Sequence, residues 1–147
     1  MMLGKEELYC MDKGSIKSSA EMFLYKATVD YNSAKALYKL FENDEIEIDI
    51  EKIYFDLQQC VEKLLKALLS HHKVTIQKTH DIEALLAILD RYDITIPNES
   101  ERLIDLTDYA VEGRYDIICD DITDAQSYFD EIEILLTVTK TNLLTTH

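Results

Sequence analysis

Between residues 50 and 68, Ile50, Ile53, Tyr54, Leu57, Cys60, Val61, Leu64, Leu65 and Leu68 recur at spacings of one, three and four. That pattern places all of them on one face of a helix, and a strand, with its period of two, cannot do the same. Phe55, Ala67 and Leu69 add apolar surface off this face, so the helix is expected at the centre of a bundle, contacted from two sides. Three glycines and a single proline, Pro97, are too few to turn an all-β chain. They favour long helices joined by short connections.

The flanking segments fit the same architecture. Ser18 or Ser19 is a candidate N-cap for a helix striped by Ala20, Phe23, Ala27, Tyr31, Ala34, Tyr38 and Phe41, ending in the acidic "ENDE". "EIEIDI" (45–50) alternates like a strand, but it is short and isolated and reads as a linker, with Asp49 capping the central helix. Thr79 is expected to cap a third helix, with Asp81 and Glu83 in its first turn and Ile82, Leu85, Leu86 and Leu89 buried. After Pro97, Asn98 or Ser100 opens a fourth helix, whose stripe of Leu103, Leu106 and Ala110 continues one turn to Arg114. The last helix is expected from about Asp121, through Ile122, Ala125, Phe129, Ile132, Leu136, Thr139 and Leu143. The expected fold is all-α: an antiparallel four-helix up-and-down bundle with one additional short helix. Residues 1–17 are expected to form an N-terminal extension and residues 18–147 a single domain.

The formal charge of −14 repels a phosphate backbone, so a free-standing nucleic-acid binder working by bulk attraction is excluded. No DNA partner and no membrane partner are expected, and no cofactor. Cys10, Cys60 and Cys119 are odd in number and widely spaced, which suits reduced thiols and a cytoplasmic location. No apolar leader opens the chain, and no uncharged run is long enough to span a bilayer.

Several polar groups are candidates for chemistry. Lys78, Thr79, His80 and Asp81 sit where free N–H groups of a helix start could receive a phosphate, although capping and tethering by His80 explain the same residues. Gln58, Gln59, Glu62, Lys63 and Lys66 rim the central helix, with Glu62 and Lys66 correctly spaced for a helix-stabilising pair. His71 and His72 point about 100 degrees apart on a helix and lack the further ligands that zinc requires. Tyr109 and Tyr115 flank Arg114, where they could stack a base or simply pack in the core.

The chain resembles the HEPN domain, the higher eukaryote and prokaryote nucleotide-binding domain. "FDLQQCVEKLLKALLSHH" (55–72), "KTHDIEALLAIL" (78–89) and "GRYD" (113–116) carry the resemblance, which covers roughly residues 20–142. It implies a helical bundle that usually dimerises, often encoded in prokaryotes beside a nucleotidyltransferase as a toxin–antitoxin pair. Many members are metal-independent ribonucleases, whose motif is an arginine followed after four to six residues by a histidine. Arg114 matches the arginine, but the histidine positions hold Cys119, Asp120 and Asp121. The resemblance therefore implies a non-catalytic or weakened accessory module, with a nucleotide, RNA or nucleotidyltransferase partner. Arg114, Tyr115, Lys78, His80, Gln59 and Lys63 are its candidate ligand-binding residues, and Arg114 is the one catalytic candidate. An endoribonuclease toxin and a purely structural dimerisation module are the alternatives.

Overall fold

The structure, a computed structural model, describes residues 16–76, 78–109 and 125–145. Helix α1 spans Ser19–Glu42, and its N-cap is Ser18, whose Oγ accepts the Glu21 N–H at 3.1 Å. It buries Ala20, Leu24, Ala27, Tyr31, Ala34 and Tyr38, while Phe23 and Phe41 of the expected stripe are half-buried. Leu24 thus takes the core position expected for its neighbour Phe23. An unpaired linker over residues 46–49 leads into α2, Ile50–His71. Asp49 holds the N-cap position but makes no side-chain capping bond, contrary to expectation.

Thirteen of the 22 residues of α2 are buried, which makes it the central helix. Helix α3, Ile82–Arg91, is short, and α4, Ala125–Thr145, closes the described chain. All are helical and pack into one all-α bundle around a shared apolar core. Aromatic contacts reinforce it: Phe129 of α4 stacks on Tyr38 with ring centroids 5.1 Å apart and meets Tyr31 edge-on at 5.9 Å.

The fourth segment begins at Asn98 as expected, but over its described length, Asn98–Tyr109, it is a 3₁₀ helix rather than an α-helix. Its inward residues explain the tighter winding. Ser100, Leu103 and Leu106 are buried and Tyr109 half-buried, each three positions after the last. A helix of three residues per turn stacks such a series in one line, whereas an α-helix would splay it. Ala110, Arg114, Tyr115 and the expected opening of the last helix near Asp121 lie outside the described residues, as do residues 1–15.

The first three α-helices stop in the same way, and none uses glycine. Asp44, Lys73 and Asp93 take left-handed φ values of 55°, 61° and 56° just past the helix ends. Each stop carries the paired bonds of a Schellman turn, as in Lys73 N–H to the Ser70 carbonyl and Val74 N–H to the Leu69 carbonyl. Aspartate tolerates this region through its short polar side chain, but lysine has no such compensation. Lys73→Gly is therefore expected to stabilise the fold by about 0.5–1 kcal/mol, and Asp44→Gly or Asp93→Gly by less. Urea denaturation of the three variants checks this ranking.

Candidate functional site

Gln58 and Glu62 stand one turn apart on α2, on the same line as Leu65 and Leu69, and all four are buried. A carboxylate there loses its water and must be repaid by hydrogen bonds. Glu62 Oε2 accepts from Lys66 Nζ at 2.8 Å. Its Oε1 takes the Gln58 amide at 3.2 Å and lies 2.8 Å from His80 Nδ1. The same Gln58 amide also donates to the His80 carbonyl at 3.2 Å, so His80 is held by both backbone and side chain. Gln59 donates to Gln58 Oε1 at 2.7 Å and completes the network.

Burial alone would push the Glu62 carboxyl up. The hydrogen bonds from Lys66 and His80, the Lys66 charge and the Gln58 amide outweigh it and hold the group below the usual carboxylate value. Glu62 is 7% exposed and Lys66 12%, whereas the His80 side chain is 66% exposed. The site is a buried ion pair with one exposed imidazole fastened to its edge.

Lys63, on the neighbouring flank of α2, has another role. Its Nζ reaches Asp30 Oδ2 on α1 at 2.6 Å, joining the two helices. Burial still raises the Asp30 carboxyl, because the Lys63 hydrogen bond and charge offset the lost hydration only in part. Farther along α2, Cys60 is fully buried, and burial pushes its thiol well up, which makes it a core residue rather than a nucleophile.

The start of α3 is closed rather than open. Asp81, not Thr79, is the N-cap, and its Oδ1 accepts the Glu83 N–H at 3.0 Å. Thr79 acts one step earlier and accepts the Asp81 N–H at 3.0 Å. The Ile82 N–H is taken by Thr107 Oγ1 of the 3₁₀ segment at 3.2 Å. Three backbone donors that could have met a phosphate are thus occupied by side chains, while Lys78 beside them is exposed.

The structure brings His80, Gln59, Glu62 and Lys66 together and sets Lys63 into the α1–α2 contact. Tyr109 lies against Tyr54 at 5.1 Å between centroids, a core contact rather than an open stacking face. His71 and His72 meet edge-on at 5.3 Å, and no cluster of three metal-ligating residues occurs among the described residues. Arg114 and Tyr115 lie outside the described residues. The residues that sequence reasoning undervalued are Glu62 and Gln58. Their signal was their alignment with Leu65 and Leu69, the second of which lies off the main apolar stripe.

By its fold the chain is an all-α helical bundle, whose central helix carries an acid–lysine pair tied to a loop histidine. The HEPN domain family model matches residues 20–142, and the chain belongs to that family. Comparison with curated proteins and with solved structures gave no match. No described helix is long and apolar enough to cross a membrane.

Proposed function

We propose that the chain is an accessory binding module of the HEPN family, which as a homodimer engages a nucleotide, an RNA or a nucleotidyltransferase partner rather than cleaving RNA. The supporting observation is the buried Glu62 that fastens the exposed His80. Apolar side chains of similar volume serve stability as well as a buried ion pair or better. A cluster kept only for packing therefore has no need of these charges. One that presents an oriented imidazole beside the exposed Lys78 has a use for them.

The sequence around Arg114 supports the non-catalytic side of this reading. Cys119, Asp120 and Asp121 occupy the places where the ribonuclease motif of the family has its histidine. Loss of a general base lowers a rate by about 10²–10⁴.

The test is cleavage of a mixed RNA pool by the purified protein, beside Arg114→Ala and with chelator present. No cleavage, or equal traces from both proteins, is expected. Chelator-resistant cleavage that disappears in Arg114→Ala would establish an active ribonuclease and overturn the proposal.

A further inference from the structure

Helix α1 carries two apolar stripes, and the fold buries only one of them. The inner stripe packs on α2 and α4. On the opposite side Met22, Tyr25, Val29, Ser33, Ala36 and Leu40 follow one another at spacings of three and four, which sets them on one line along the helix. Met22 is 37% exposed and Val29 45%, Ser33 and Ala36 are exposed, and Tyr25 and Leu40 are half-buried. The line runs for five turns, about 27 Å. Single apolar side chains in solvent are ordinary, but a continuous line of them marks a contact surface. Its spacing is that of a helix–helix seam, and the small Ser33 and Ala36 at its middle let a second backbone come close.

The charges beside the line select the occupant. The chain has 29 acids against 15 bases, yet from Met22 to Phe41 its one acid is Asp30, which is tied to Lys63 at 2.6 Å. The exposed charged side chains of this stretch are Lys26 and Lys39. Lys26 stands beside Met22 and Val29 on one flank of the line, and Lys39 beside Ala36 on the other. We infer that the outer face of α1 docks an amphipathic helix of another protein, whose apolar stripe is flanked by acidic residues.

A second copy presenting this face would bring the same two lysines and no free acid to answer them. Two lysines beside an apolar line are also too few to hold a phosphate backbone on a chain of charge −14. The acids elsewhere on the chain act on the partner from a distance, and beyond about 8 Å physiological salt largely screens them. The surface shares no residue with the Glu62–His80 network and does not depend on the function proposed above.

The experiment titrates the full chain into a fluorescent three-heptad peptide with leucine at both seam positions and glutamate on both flanks, at physiological salt. The same peptide with glutamine on its flanks is the comparison. The glutamate peptide is expected to bind about two- to tenfold more tightly, the worth of two exposed ion pairs, and Lys26→Gln with Lys39→Gln is expected to remove that advantage. Val29→Glu alters an exposed position and is expected to keep the fold, checked by urea unfolding, while weakening the glutamate peptide at least about tenfold. Ile134→Glu, an equal change on the exposed side of α4, is expected to leave binding unaltered. No binding, equal binding of the two peptides, or equal losses from Val29→Glu and Ile134→Glu would overturn the inference. Self-association of the chain, or binding to phosphatidylserine vesicles, that Val29→Glu abolishes would give the face another occupant and overturn it as well.

Discussion

Glu62→Ala is expected to destabilise the fold by about 3 kcal/mol at neutral pH, the low end of the cost of breaking a buried ion pair. The low end applies because both charged partners can turn to water once the carboxylate is gone. Lys66 is 12% exposed and can reach water along its own stem, and most of the His80 side chain is already in solvent. The Gln58 amide is fully buried and keeps only its bond to the His80 carbonyl, which adds a desolvation cost. Glu62→Gln preserves the shape and an acceptor, and a smaller loss of about 1–2 kcal/mol is expected. The pH dependence has a fixed sign. The folded-state carboxyl lies below its unfolded value, so its stabilisation is full above the ordinary glutamate range and disappears as pH falls through the depressed folded value. The stability gap between the unaltered chain and Glu62→Gln should therefore narrow on acidification below about pH 4.5. Urea denaturation at neutral pH and in acid measures it. A gap that stays constant or widens in acid would show that Glu62 is not ionised in the fold.

Leu65→Ala is the second large effect, with an expected loss of about 2–5 kcal/mol. Leu65 is fully buried on the helix that every other described element touches, so no neighbour can move into the space without disturbing a second contact. Such sites keep the cavity and pay its full cost. Ile134→Ala supplies the contrast. That side chain is 50% exposed on α4, and its removal should change stability by no more than about 0.5–1 kcal/mol. Thermal and urea unfolding of both variants checks the ranking. Equal effects would mean that α2 is not the centre of the core.

Much of the bundle was legible in the sequence. The stripe from Ile53 to Leu68 named the central helix, and Leu69 and Ala67 showed that its other side was also covered. Ser18 was legible as a cap because its side chain meets a backbone N–H three residues away, within one local turn. Asp49 looked equally suitable, yet its side chain makes no such bond, because residue type makes capping possible and chain direction decides it. Residue type likewise pointed to Thr79 as the cap of α3, with Asp81 inside the first turn. Asp81 holds it, while Thr79 braces the residue before the helix.

The candidate site was legible in parts. His80 as a loop tether and the Glu62–Lys66 pair follow from residue type and helical spacing, and both are present. That Glu62 serves both was not legible, because His80 lies 18 residues away and only the packing of the loop against α2 joins them. Lys63 carried the same ambiguity: its residue type suits a ligand, but α1 sets Asp30 within its reach.

By itself the sequence determined the helices, the central place of α2 and the family, since hydrophobic periodicity and short motifs are local properties of the chain. Only the tertiary structure decided the closing of the α3 start by Thr107 and the fastening of His80 to Glu62. Each depends on the distance between segments far apart in sequence, which the summed packing of the core sets and no local propensity encodes.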